Sequence, residues 1–273
     1  IKELVGVDYE RKARLCGSEM GTLKTIENAF LFIEDGLISL FGQMEELNNS
    51  VVNDPVREIT KIDAGGRMVF PSFCDSHTHL VYAGSREIEY VDKIRGLSYE
   101  EIAKRGGGIL NSARKLHDTS FESLVEQATE RLNEIIKLGT GAVEIKSGYG
   151  LNTEDELKML RVIKKLKETS PLTIVSTFLG AHAVPAEYKG RQNEYVDHII
   201  NEMIPLVAAE ELADYIDVFC DKGFFTVEET ERILMAGIKH GMRPKIHANE
   251  LDYSGGIQVG VKYNALSVDH LEY

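Results

Sequence analysis

The run Val69-Phe70-Pro71-Ser72-Phe73-Cys74-Asp75-Ser76-His77-Thr78-His79-Leu80 decides the reading of this chain, because an apolar strand ends in two histidines one residue apart. Side chains alternate along a strand, so His77 and His79 point the same way. At the C-terminal mouth of a parallel barrel, two neutral imidazoles on one side can hold a divalent metal at about 2.0–2.1 Å. A bare His-x-His is more often a strand end with two half-exposed histidines. Here position shifts the balance: a buried run stands before the pair, and Leu80-Val81-Tyr82-Ala83-Gly84-Ser85-Arg86, a loop ending in a cation, follows it.

Two further histidines end later strand-like runs. His247 closes Arg243-Pro244-Lys245-Ile246-His247, and His270 closes Leu266-Ser267-Val268-Asp269-His270. Singly, each reads equally well as a satisfied structural histidine. With His77 and His79 they form a set that coincidence explains poorly. Three imidazoles, one carboxylate and a water make an open metal site, and water in such a site ionises near neutral pH. Glu250, three residues after His247, is placed to reach a substrate or that water, against the plainer reading of a solvated loop carboxylate. His182 follows Thr177-Phe178-Leu179-Gly180-Ala181, another strand end, where it could polarise a carbonyl or donate to a developing oxyanion. His117, His198 and His240 fall in helix or loop patterns and receive no role. Lys146 also ends a strand; an ordinary buried or paired lysine is preferred to a modified lysine bridging two metals.

Residues 24 to 62 read as short β segments, with Asp35-Gly36 as a hairpin turn between the apolar runs 29–33 and 37–42. From Gly66 onward strands and helices alternate. Strands are expected at Met68 to Cys74, Gly141 to Ser147, Leu172 to Leu179, Tyr215 to Cys220, Pro244 to His247 and Ala265 to His270. Helices are expected at Phe121 to Leu138, Thr153 to Glu168, Glu194 to Ala209 and Val227 to His240, the second opening on a Thr153/Glu156 capping box. Repeated β then α with functional residues at strand ends implies a parallel sheet and favours a (β/α)₈ barrel of which about six strands are present. The expected organisation is residues 1–62 as part of a small β-rich domain and 63–273 as an incomplete barrel.

Lys and Arg number 31 against 44 Asp and Glu, a net charge of −13, which argues against nucleic acid or an anionic membrane as partner. A small anionic substrate would need a local arginine. Cys16, Cys74 and Cys220 form no CxxC pair, so neither a disulfide framework nor a thiolate zinc site is indicated, and a reducing cytoplasm fits. No signal peptide or membrane-spanning run is visible. The glycines at 106–108 and in Ser147-Gly148-Tyr149-Gly150 lack the context of a P-loop or a dinucleotide fingerprint.

At this point the residues resemble the imidazolonepropionase family of the amidohydrolase superfamily. The resemblance covers nearly all of residues 20 to 273. It rests on Asp75-Ser76-His77-Thr78-His79-Leu80-Val81-Tyr82-Ala83-Gly84-Ser85-Arg86, on Gly106-Gly107-Gly108-Ile109-Leu110 and on Glu144-Ile145-Lys146-Ser147-Gly148-Tyr149-Gly150-Leu151. It continues through Phe178-Leu179-Gly180-Ala181-His182-Ala183-Val184-Pro185 and Lys245-Ile246-His247-Ala248-Asn249-Glu250-Leu251 to Asp269-His270-Leu271-Glu272-Tyr273. The resemblance implies one zinc or iron ion on His77, His79 and His247, substrate contacts from Arg86, Tyr149, His182 and Glu250, and His270 beside the activated water. It implies hydrolysis of 4-imidazolone-5-propanoate to N-formimidoyl-L-glutamate, with the propanoate on Arg86 and Tyr149 and proton transfer by Glu250 or His270. Alternatives are another cyclic-amide hydrolase or deaminase of the superfamily, or a barrel scaffold without chemistry. A homodimer is the expected assembly. The family's fourth ligand, an Asp on an eighth strand, has no counterpart here, and the chain is expected to continue beyond Tyr273.

Overall fold

The computed structural model describes residues 1–273 apart from 9, 11, 13, 48–57, 98–100 and 102–107 and the side chain of Ile88. Gly106 and Gly107 of the quoted glycine run lie outside the described residues. The chain divides into two compact units, Ile1–Ser72 and Phe73–Tyr273.

In the first unit, β1 (Glu3–Val5) pairs antiparallel with β2 (Thr25–Glu27) and parallel with β5 (Met68–Val69). The hairpin read from Asp35-Gly36 is present as β3 (Ala29–Glu34) and β4 (Leu37–Gln43), antiparallel. Asp35 and Gly36 both take positive φ, 51° and 76°, the left-handed turn that an Asp-Gly step accommodates. Leu4, Val7 and Ala29 form its small core.

The second unit is a six-position parallel sheet with helices between its strands. Its strands are β6 (Phe73–Thr78), β7 (Thr140–Lys146), β8 (Thr173–Ala181), β9 (Tyr215–Cys220), β10 (Arg243–Pro244) continued by β11 (Ile246–Ala248), and β12 (Val268–His270). The order β12-β11-β9-β8-β7-β6 follows the sequence, every pairing is parallel, and β10 pairs with β9. The helices are α1 (Glu87–Ile94), α2 (Ile109–His117), α3 (Phe121–Lys137), α4 (Thr153–Thr169), α5 (Gln192–His198), α6 (Ile204–Ala209), α7 (Val227–Lys239) and α8 (Gly256–Lys262). Short links between parallel strands and crossover helices give the nearly closed barrel that the β then α alternation implies. Val143 and Ile145 of β7 and Ile216 and Val218 of β9 are buried in the same core as Leu132, Leu160 and Ile163 of the helices. The alternate residues Glu144, Lys146 and Asp217 are buried as well, with their own ionic partners.

Three expectations need correction. The single strand expected over Met68 to Cys74 is two strands in different units, because Pro71 has no N–H to give a ladder and interrupts the run. The helix expected over Glu194 to Ala209 is interrupted by a π-helical turn at Ile199–Met203, next to Pro205, which also lacks the donor an α-helical turn would use. The capping box expected at Thr153 and Glu156 does not form. Asn152 caps α4 instead, its side chain accepting from the Asp155 N–H at 2.9 Å, and Glu156 is drawn into another role. The box spacing is realised at the start of α7, between Thr226 and Glu229.

Candidate active site

The ends of β6, β8 and β11 bring His77, His79, His182 and His247 together, and His270 from β12 joins them. His77 and His247 have ring centroids 4.5 Å apart, His77 and His270 5.1 Å, and His79 stacks on His182 at 5.0 Å with 11° between the rings. One ring nitrogen from each of His77, His79 and His247 lies within 4.8 Å of the others. His79 Nδ1 and His247 Nε2 are buried without a hydrogen-bond partner, a costly state for a polar atom unless something is bound there. His247 Nδ1 lies 2.9 Å from Asp217 Oδ2, off the line of a well-formed hydrogen bond. Burial pushes the imidazoles of His79 and His247 below the ordinary histidine range, with neighbouring histidines adding to the effect and Asp217 opposing it for His247. Three imidazoles whose ring nitrogens lie this close together are a donor set that suits a zinc or iron ion. The residues present therefore fit the metal.

The cluster floors a cavity of about 630 Å³, whose walls include Arg86, Glu89, Tyr149, Phe219, Phe224 and Glu250. A second cavity of about 850 Å³ shares Ile109 and Phe224 with it and contains none of the strand-end histidines. Arg86 is held by Glu89, with Nη2 2.7 Å and Nε 2.8 Å from Oε2. Burial pushes the Glu89 carboxyl up, and the guanidinium, the Gly108 amide and Asn111 more than offset it. Tyr149 stands 5.5 Å, centroid to centroid, from both His79 and His182.

The loop that carries Tyr149 is built around Glu156. This buried carboxylate accepts from the backbone N–H groups of Gly148, Gly150 and Leu151, the shortest at 2.7 Å. Gly148 is required there: its φ is 106°, and a Cβ would stand 2.8 Å from His182 Nδ1. The same residue fixes His182, whose Nδ1–H donates to the Gly148 carbonyl at 2.9 Å and leaves Nε2 with a lone pair. Burial, then the charge of His247, carries the His182 pKa down to about 3.

Glu250 is positioned by Asp221, which accepts from the N–H groups of Glu250 at 2.7 Å and Leu251 at 3.1 Å. Its Oε2 lies 3.3 Å from His270 Nε2. Burial pushes the Glu250 carboxyl up, and His270 opposes the shift while Glu272 and Asp221 reinforce it. His270 itself sits at φ 81°, a left-handed backbone uncommon outside glycine and frequent at functional sites.

The five histidines singled out at strand ends thus line one cavity. Sequence reasoning assigned no role to Asp217, Asp269, Glu144, Lys245 and Glu89, and read Glu156 only as part of a helix cap. A signal was present for some: Glu144 and Lys146 alternate with Val143 and Ile145, and Asp217 with Ile216 and Val218, which places charges on one inward face of otherwise apolar strands.

No family model matches the chain. Among curated proteins, the imidazolonepropionase of Flavobacterium johnsoniae is 58% identical over 272 residues, covering 100% of this chain and 65% of that protein. That of Christiangramia forsetii is 56% identical over 272 residues with the same coverage. The chain therefore spans 65% of the length of these relatives. Among solved structures, the 5-methylcytosine deaminase of Klebsiella pneumoniae liganded with 5-fluorocytosine superposes with a TM-score of 0.56 at 13% identity, over 96% of this chain and 55% of that one. That likeness establishes the fold, a parallel β/α barrel. By sequence, the chain is a homologue of the imidazolonepropionases, matched along the whole of its own length.

Proposed function

We propose that the protein spanned by this chain hydrolyses 4-imidazolone-5-propanoate to N-formimidoyl-L-glutamate in histidine degradation. One observation carries the reading: the residues to which the family resemblance gives roles, spread from His77 to His270, line a single cavity. His77, His79 and His247 would hold one zinc or iron ion. When bound, such an ion lowers the pKa of a water and polarises a carbonyl.

The chain's own residues supply the rest. Arg86, its fork oriented by Glu89, meets the propanoate, and Tyr149 adds a hydroxyl. His182, with Nδ1–H committed to Gly148, accepts at Nε2 and so receives a ring N–H of the substrate; this replaces the donor role expected from its position alone. Glu250 and His270, 3.3 Å apart, carry the proton from water to the leaving ring nitrogen. Phe219 and Phe224 wall the cavity and limit water. The reading includes a cytoplasmic homodimer, which light scattering on the full-length protein would check.

The test uses full-length protein loaded with zinc or iron and offered imidazolone propanoate, other cyclic amides and aminopyrimidines. Formation of formimidoylglutamate by mass spectrometry is the expected result. Turnover of an aminopyrimidine and not of the imidazolone would overturn the reading.

A further inference from the structure

Below the histidines, the barrel interior holds five ionic side chains: Glu144, Asp217, Asp269, Lys146 and Lys245. Lys146 is wholly buried, and its Nζ lies 2.6 Å from Glu144 Oε1, 2.8 Å from Asp217 Oδ2 and 3.4 Å from Asp269 Oδ2. The two aspartates are the ones that face the candidate ligands: Asp217 Oδ2 is 2.9 Å from His247 Nδ1, and Asp269 Oδ2 is 2.8 Å from His77 Nδ1. Asp217 Oδ1 also accepts the backbone N–H of His247 at 3.1 Å. Lys245 pairs with Glu144, lies 3.5 Å from Asp269 and donates to the Ser76 carbonyl at 3.1 Å, just before His77.

Burying such a cluster is expensive, and well-packed apolar residues would usually serve stability as well or better. A carboxylate beside the second nitrogen of a metal-binding imidazole fixes its tautomer and ring plane and raises its basicity. Two mutually repelling carboxylates a few ångströms apart need a cation between them to hold those positions.

We propose that Lys146 is a positioning residue for the metal site: its ammonium holds Asp217 against His247 and Asp269 against His77, so metal affinity depends on a side chain that touches neither imidazole. The proposal rests on the metal reading above and goes beyond it, since it makes the geometry of two ligands on separate strands a property of one buried lysine. Removing Lys146 frees both aspartates from their common partner and lets both rings turn.

The test is made on full-length protein with Zn²⁺ and with Co²⁺ as the spectroscopic probe, comparing Lys146→Met, Lys146→Arg, Asp217→Asn and Asp269→Asn. Zinc affinity is read by competition with a chromophoric chelator, and site geometry by the visible cobalt spectrum. Lys146→Met is expected to weaken zinc binding by about 10–100-fold, the range for losing an outer partner, and to change the cobalt spectrum. Lys146→Arg should recover much of both. If Lys146→Met does not fold, Glu144→Gln/Lys146→Met keeps the cluster's net charge while deleting the bridge and gives the same readout, as do the isosteric aspartate variants. Wild-type affinity and spectrum in these variants, with metal lost in His247→Ala, would overturn the role of Lys146 and leave the metal reading standing. Unchanged metal binding in His77→Ala and His247→Ala would overturn the metal reading itself.

Discussion

Asp269 Oδ2 lies 2.8 Å from His77 Nδ1, although the two residues stand on the first and last strands of the barrel sheet and are separated by 192 positions in the chain. No ladder joins those strands. The sheet curves far enough for a side chain from each edge to meet over the interior, and the contact sits where the candidate metal ligands converge. Burial pushes the Asp269 carboxyl up, but the His77 ring, the Ser267 hydroxyl and the two lysines outweigh it and hold it below the usual range.

His77→Ala, His79→Ala and His247→Ala are each expected to remove most bound zinc or iron from the full-length protein, together with activity. His117→Ala is the control, because His117 lies on α2 with Nε2 2.9 Å from the Gly150 carbonyl, outside the cluster. Elemental analysis of dialysed protein decides the matter; equal metal in all four variants would remove the assignment.

Arg86→Met should lower kcat/KM by about 2 kcal/mol, the low end for removing one partner of a charged pair, since Arg86 is partly exposed. Metal content should not change. Glu89→Gln should have a smaller effect, because it disturbs only the orientation of the guanidinium. Steady-state kinetics with the propanoate substrate and an analogue lacking the carboxylate separate the two: loss confined to the carboxylate-bearing substrate is the expected pattern.

Gly148→Ala forces a side chain into a positive-φ position and against His182, and Glu156→Gln turns an amide NH₂ toward backbone donors. Each should cost about 1–3 kcal/mol of stability, as expected for a strained backbone or an unsatisfied buried group. Both should also raise KM, because Tyr149 rides on this loop. Denaturant unfolding and KM measured on the same preparations test the pair of effects, and a stability loss with KM unchanged would detach the loop from substrate binding.

His182 predicts a pH dependence for the metal-free protein. In the unfolded chain it takes up a proton below its ordinary value of 6.5, whereas in the fold it does so only near 3. Between those values the unfolded state binds more protons, so stability falls as pH falls through that window. At pH 5 the loss from this residue should be about 2 kcal/mol. His182→Gln should flatten the decline between pH 6.5 and 5 in chelator-treated protein, as followed by denaturant titration; an unaltered slope would show that His182 is not held neutral by the fold.

The sequence by itself determined the alternation of strands and helices, the hairpin at Asp35-Gly36, and the placing of His77, His79, His182, His247 and His270 at strand ends. These are local matters: period-two and helical patterning, and turn residues with known backbone preferences, act over a few neighbours. The tertiary structure alone decided which charges meet. The Asp269 and His77 contact, the Lys146 bridge to Asp217 and Glu144, and the capture of Glu156 by three loop amides instead of a helix cap depend on where curved strands and a tight loop bring residues in space. Buried charges and amides must find partners wherever the fold puts them, so their pairing follows from the closure of the barrel and not from spacing along the chain.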